Sequence, residues 1–349
     1  MNKLFLALLW VPMVSVHLSA QNPTVQQEIS TYLKGLDPTI FMGTVLVAKG
    51  DTVIFSESYG NASWEHNIKN SSETKYLIGS ITKSHTALAI AVLADQGKLG
   101  FDDPICNYLQ DCPDTWKPIT IHQLLNHTSG IVDLIRTQGF FQTITLPTTL
   151  ENSLKTIRDL PLNFEPGNRF EYGNSGYLIA AYIIENTSDM PYDEFLEKAI
   201  YGPLEMKGSG YASTELVLKN RAWGYQVKDG KFHRAQYMDM SIPVGAGSQY
   251  ATVNDLLILN RALNTPGKLI SEKSAKRVFD GGKFGYGYGF YVEEFKGKKV
   301  IQHMGDIFGF GSYQSYIPDE DIFICILSNV QGAPVRDIKE KLMQIALDH

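Results

Sequence analysis

A chain of 349 residues, 44 % hydrophobic and 19 % charged, can bury one large core or two closely packed ones and is too apolar for a disordered protein. Its net charge of −6, with Lys and Arg scattered along the chain, lacks the basic stripe that a nucleic-acid binder needs. No tandem period, low-complexity tract or long charge run points to a repeat or assembly protein.

At the N-terminus, Lys3 precedes an apolar run from Leu4 to Val16, and the small pair Ser19-Ala20 stands before polar Gln21. This reads as a signal peptide over residues 1–20, with a retained anchor as the alternative. The run is short for a bilayer and is broken by Pro12. No later stretch supplies the roughly 20 apolar residues a span requires, so a periplasmic or secreted protein is expected.

Thr24 and Gln27 form a capping box for a helix that carries Val25, Ile29, Tyr32 and Leu33 on one face and ends near Gly35. Gly43–Ala48 and Thr52–Ser56 are β-rich runs separated by Lys49-Gly50-Asp51, a hairpin signal. From Ser80 to Gln96 the pattern is helical, with Gly97 as the stop. Thr120 with Gln123 opens a helix over Ile121–Asn126, and Thr252 with Asp255 opens another that runs to about Leu263. Strands are expected over Tyr286–Glu293, Lys299–Gln302, Gly311–Ile317 and Ile322–Leu327, followed by a helix from Val335 to Leu347.

Strands near both chain ends with helices between them predict an α+β fold: one antiparallel sheet built from the two ends and flanked by helices, with an inserted, mainly helical region. The sheet part is expected over about 21–78 and 284–349, and the helical part over about 79–283. A cleft is expected where the two meet.

Cys106 and Cys112 stand six apart in a loop-like segment, either bridged in an oxidising compartment or left as two free thiols. Cys325, inside Ile322–Leu327, reads as a buried small hydrophobe. No Cys/His spacing suits zinc, so a metalloenzyme is not expected. His122 and His127 flank a capping box and a glycine stop and read as structural. Tyr286, Tyr288 and their intervening glycines read as a strand with small residues, since no helix opens after them to hold a phosphate.

The sharpest local signal is Ser80-Ile81-Thr82-Lys83 at the start of the second helix. Spacing of three places serine and lysine on one face. A serine needs a neighbouring base to become a nucleophile, and a desolvated lysine can serve once its pKa falls. The helix N-terminus also suits an oxyanion. Alone, the tetrad reads as an N-cap serine and a surface lysine. Likewise Tyr172, Asn174 and His303 taken singly read as a core tyrosine, a turn residue and a strand histidine.

The surrounding blocks change that reading. Gly79–Leu93, Gly97-Lys98-Leu99, Asp102-Asp103-Pro104, Ile119–Gly130, Phe164–Gly167 into Tyr172-Gly173-Asn174, His303-Met304-Gly305 and Leu327-Ser328-Asn329 follow in order. Together they resemble the serine β-lactamase and penicillin-binding-protein family: class C β-lactamases, D,D-peptidases and esterases. The resemblance runs from about Phe41 to Val330.

It implies an acyl-enzyme at Ser80, with Lys83 and Tyr172 sharing the proton traffic and Asn174 orienting Lys83 and substrate. The N–H groups of Ser80 and Asp306 would form an oxyanion hole, with His303 and Gly305 lining the substrate site. The expected partner is a small-molecule or peptide acyl donor, cell-wall fragments included. The resemblance leaves amide, ester and β-lactam open, as it does oligomeric state. The alternative is a peptidoglycan- or peptide-binding protein that kept the scaffold without hydrolysis, but such a binder needs no activated nucleophile.

Three departures stand out. His303 replaces the lysine common at that position and is mostly neutral at neutral pH unless partnered. Asp306 replaces a small residue, and is expected either to pair with His303 or to face the pocket and disfavour anionic substrates. Gly173 replaces serine between Tyr172 and Asn174, at a position that carries no proton.

Overall fold

The computed structural model describes residues 24–349, so the signal-peptide reading lies outside the described residues. Helix α1 (Val25–Lys34) opens with the expected capping box at Thr24 and Gln27, each side chain closing the other's backbone N–H. Strands β1 (Gly43–Lys49) and β2 (Thr52–Tyr59) follow as an antiparallel hairpin with a register shift between Val47 and Ala48. Helices α2 (Thr82–Asp95), α3 (Ile121–Leu125), α4 (Ser175–Ser188) and α5 (Val253–Asn264) lie in the long insertion. The chain then returns as β3 (Tyr291–Phe295), β4 (Lys298–Ile307), β5 (Phe310–Ile317) and β6 (Ile322–Ser328), and ends in α6 (Val335–Asp348).

These six strands form one antiparallel sheet in the order β3-β4-β5-β6-β1-β2. The two ends of the chain meet within it, where β1 pairs with β6 from Gly43 opposite Ser328 to Lys49 opposite Ile322. Alternate side chains of β1 and β6 enter different cores, as period-two geometry requires. Val45, Val47, Ile324 and Ile326 pack with Ile29 and Leu33 of α1 and Ile338 and Leu342 of α6. Leu46, Ala48, Phe323, Cys325 and Leu327 pack on the opposite face with Ile78, Ile81 and Leu256. Both strands are therefore apolar on both faces over Val45–Ala48 and Ile322–Leu327, and Cys325 is fully buried, its thiol pushed up by desolvation.

A third core fills the insertion. Its α2 and α4 are apolar on almost every face and buried nearly all round, the pattern of helices enclosed by other helices. The structure corrects the sequence reading in three places. Ser80 lies in a 3₁₀ turn, Gly79–Ile81, just ahead of α2. The insertion carries short strands as well: Gln249–Ala251 pairs with Gly210–Tyr211 and with Tyr76–Leu77 just ahead of the insertion, and Tyr225–Lys228 pairs with Lys231–Arg234. Residues Tyr286–Phe290 form turns, with Gly287 N–H donating to Phe290 O, and the strand begins only at Tyr291. Cys106 and Cys112 are joined as a disulfide, Cα atoms 5.4 Å apart.

Candidate active site

Ser80 sits where the insertion meets the sheet, and backbone proximity fixes it there. Gly79 has φ +50°, and a Cβ on it would stand 2.8 Å from Asp306 N. Across the contact, a Cβ on Gly305 would stand 2.0 Å from Ile78 O and 2.3 Å from Ser312 Oγ. Only glycines allow the turn and β4 to approach this closely. Ser312 Oγ, donating to Ile78 O at 2.7 Å, ties the turn to β5.

One helical turn on, the Lys83 amine is buried and makes three contacts. It donates to Asn174 Oδ1 at 2.9 Å, Ala246 O at 3.1 Å and Ser80 Oγ at 3.2 Å. Three acceptors match the three N–H bonds of an ammonium. Burial nevertheless pushes the Lys83 pKa down to about 7, against the opposing pull of the Asp133 carboxylate. Loss of the proton aimed at Ser80 Oγ leaves a lone pair facing the serine hydroxyl, the arrangement of a base beside a nucleophile.

Asp133 was not singled out from the sequence. It is buried, accepts from Asn174 N at 3.1 Å, and receives Asn174 Nδ2 at 3.3 and 3.4 Å. With the amide nitrogen so engaged, the Asn174 oxygen must face Lys83. An acid inside Ile131-Val132-Asp133-Leu134-Ile135 is itself a signal, because a carboxylate in an apolar run is rarely buried unless paired.

Tyr172 stands on the other side of Ser80, its ring centroid 4.9 Å from Lys83 Nζ. Burial raises its pKa above the ordinary tyrosine range, outweighing the lowering effect of Ser80, so the hydroxyl keeps its proton. Behind Tyr172 is an aromatic wall: His127 packs on it at 4.5 Å between ring centroids and on Tyr286 at 4.6 Å. His127, in a left-handed conformation with φ +61° just past the Asn126 cap of α3, ends that helix and also backs the site. His122 receives or gives a hydrogen bond to Tyr288 hydroxyl at 2.7 Å, away from Ser80.

His303, Gly305 and Asp306 form the β4 wall. His303 is fully buried, with Nδ1–H donating to Met304 O at 2.6 Å and Nε2 accepting from Tyr286 hydroxyl at 3.0 Å. Burial, helped by the Lys83 charge, pushes its pKa down to about 3, against the Met304 carbonyl. It is therefore neutral, with both nitrogens occupied. Asp306 does not pair with it: residues three apart on a strand point to opposite faces. Asp306 lines the cleft without an ion-pair partner among the described residues, and partial desolvation raises its pKa.

Two cavities meet at Ser80, Tyr172 and Asp306. One, about 310 Å³, is walled mainly by apolar side chains, including Leu134, Phe140, Met238, Ile242 and Phe308. The other, about 770 Å³, has a mixed lining and runs between β3, β4 and the start of α6, past Glu293, Gln302, Arg336 and Lys339.

The family model for beta-lactamase matches residues 39–348, nearly the whole described chain. The chain belongs to the beta-lactamase family. A Bacillus subtilis protein, PbpX, provisionally named a penicillin-binding protein, is 30 % identical over 321 residues, covering 91 % of this chain and 78 % of PbpX. A penicillin-binding protein homologue from Pyrococcus abyssi, described as octameric, superposes with a TM-score of 0.82 at 29 % identity, covering 92 % of this chain and 77 % of its own. The penicillin-binding protein of Bacillus halodurans gives a TM-score of 0.79 at 26 % identity, covering 91 % of this chain and 98 % of its own. The fold of this beta-lactamase-family chain is thus that of the serine β-lactamases and penicillin-binding proteins, as the sequence resemblance implied. Among the described residues, no helix is long and apolar enough to cross a membrane.

Proposed function

We propose that this chain is an exported serine hydrolase that forms an acyl-enzyme at Ser80 with an amide, ester or β-lactam. One observation carries the reading: Lys83 Nζ lies 3.2 Å from Ser80 Oγ in a dry pocket that pushes its pKa down to about 7. Neutral Lys83 takes the Ser80 proton as Oγ attacks the carbonyl carbon. The developing oxyanion is received by the N–H groups of Ser80 and Asp306, and each such donor in general contributes roughly 3 to 4 kcal/mol to the transition state. Tyr172, kept protonated by burial, delivers a proton to the departing nitrogen or oxygen. Water then hydrolyses the ester, and the same groups return the proton to Ser80. Asn174, held by Asp133, keeps Lys83 aimed at Oγ. Export is supported by the Lys3 to Ala20 segment and by the Cys106–Cys112 bridge, which suits an oxidising compartment.

Intact mass and turnover of the protein and its Ser80→Ala variant, with a β-lactam and a p-nitrophenyl ester, test this reading. An adduct and turnover that vanish in the variant are expected. Turnover that survives Ser80→Ala overturns it, and neither adduct nor turnover with any acyl donor favours a non-hydrolysing binder.

A further inference from the structure

The third acceptor of the Lys83 amine, Ala246 O, belongs to a tight turn over residues 243–247, in which Ala246 N–H and Gly247 N–H both donate to Pro243 O at 2.9 and 2.7 Å. On one side the turn is pressed against α4. Gly245 has φ +74°, and a Cβ on it would stand 2.4 Å from Tyr177 O and 2.8 Å from Ala181 Cβ. On the other side it faces α2, and three residues of that helix grip it. Thr82 Oγ1 accepts from Gln249 N at 3.1 Å, Lys83 Nζ donates to Ala246 O at 3.1 Å, and Thr86 Oγ1 lies 2.7 Å from Gly245 O. Pro243, Val244, Ala246 and Gly247 also line the apolar cavity, so one turn borders both the base and the cavity.

Thr86 is fully buried. Its one hydroxyl proton has two carbonyls in reach, Gly245 O at 2.7 Å and Thr82 O of its own helix at 3.2 Å, and the shorter bond takes it. The Tyr192 hydroxyl, 2.6 Å away, therefore donates to Thr86 Oγ1. Burial pushes the Tyr192 pKa up, so that proton stays in place. A threonine inside a helix commonly satisfies itself on the carbonyl four residues back. Here the hydroxyl reaches out of α2 to a carbonyl 159 residues away, and a buried tyrosine supplies it with a donor in return.

We infer that Thr86 is a positioning residue for acylation: by holding Gly245 O, it keeps the next carbonyl, Ala246 O, on the Lys83 amine. The consequence is electrostatic. The ammonium form of Lys83 fills three acceptors, and a turn that drifts from α2 removes one of them, favouring the neutral amine and loosening its aim at Ser80 Oγ. This inference rests on the reading of Ser80 and Lys83 as nucleophile and base, and names what holds that base in place.

The test is kcat/KM for p-nitrophenyl acetate as a function of pH. The acetyl group is small beside a cavity of about 310 Å³, so the profile reports on Lys83 and not on acyl fit. Thr86→Val keeps the branched shape and removes the hydroxyl. It is expected to lower the plateau roughly tenfold and to move the acid limb down by about one pH unit, the scale of one lost hydrogen bond to a charged group. Thr86→Ser, which returns the hydroxyl, should restore both. Tyr192→Phe is the control for a merely structural role: it removes a buried hydrogen bond from the same hydroxyl and leaves the bond to Gly245 O. Its melting temperature should fall while its midpoint stays at the parent value. Thr82→Val releases the turn at Gln249, should move the midpoint the same way, and carries the test if Thr86→Val does not fold. A midpoint that stays or rises in the variant carrying the test, or that falls equally in Tyr192→Phe, overturns the inference and leaves the Ser80 reading standing. Ester turnover that survives Ser80→Ala, or a parent protein that neither turns over the ester nor takes up a β-lactam, removes the Ser80 reading and the inference with it.

Discussion

The two walls of the cleft bury a basic nitrogen in opposite ways. On the helical wall, Lys83 is surrounded by oxygen acceptors and lies within the field of Asp133, and burial brings its pKa down to about 7. On the strand wall, His303 lies among the rings of Tyr172, Tyr286 and Tyr291, with no carboxylate beside it, and its pKa falls to about 3. Desolvation acts on both. What differs is the starting point: a lysine that begins at 10.5 comes down to near neutrality, whereas a histidine that begins at 6.5 and also feels the Lys83 charge comes down far below it. In the proposed mechanism only the first carries a proton, and the second is a fixed piece of wall.

The largest expected effect breaks the helical wall. Lys83→Ala removes the base and should lower kcat/KM for any acyl donor by roughly 10³-fold, within the span general-base catalysis covers. In the intact protein, kcat/KM should rise with pH through a midpoint near 7, because the reactive form of Lys83 is the neutral one. The opposite wall supplies the control: His303→Gln should leave that midpoint in place, since His303 carries no charge to lose above pH 3 or so. A midpoint that moves by a unit or more in His303→Gln would reverse the assignment of roles to the two walls. Linkage gives a second sign. The folded lysine binds its proton less tightly than the unfolded one, so burying this group costs stability below about pH 7, and that cost is relieved as pH rises from about 7 towards its ordinary 10.5.

A smaller effect sharpens the comparison by removing the carboxylate. Asp133→Asn keeps the shape but weakens the hold on Asn174 and withdraws the charge that raises the Lys83 pKa. kcat should fall by roughly 10- to 100-fold through misalignment, with little change in KM. The acid limb should also move to lower pH, a shift that a merely structural role for Asp133 does not produce. Rescue by Asp133→Glu would be partial at best, because the longer side chain has to fit the same buried space.

Locally coded features were legible in the sequence, and those made by distant partners were not. Thr24 with Gln27 and Thr120 with Gln123 close their capping boxes within four residues, so residue type alone specifies them. The two central strands are apolar on both faces and read directly. Ser80, Lys83, Tyr172 and Asn174 were found because three short blocks occur in family order, and the structure brings all four together. Asp133 and Asn174 meet across 41 residues, and no local pattern announces such a contact. Tyr286–Phe290 failed for a different reason. Alternating aromatic and glycine residues imitate the period of a strand, yet glycines at 285, 287 and 289 let the backbone turn instead, placing Tyr286 against His303.

That turn sets up the smallest effect, which tests the strand wall. Tyr286→Phe removes the hydroxyl that donates to His303 Nε2 and leaves a buried acceptor without a partner. The loss should cost about 1 to 3 kcal/mol of stability, read as a lower melting temperature. The pH midpoint of kcat/KM should stay near 7, because nothing on this wall carries the titrating proton. A variant that keeps its melting temperature would mean that the imidazole has another donor within reach. A variant that shifts the midpoint would mean that the aromatic wall reaches Lys83 electrostatically through Tyr172, whose ring packs on both walls. Either result would join the two walls that the hydrogen bonds keep separate.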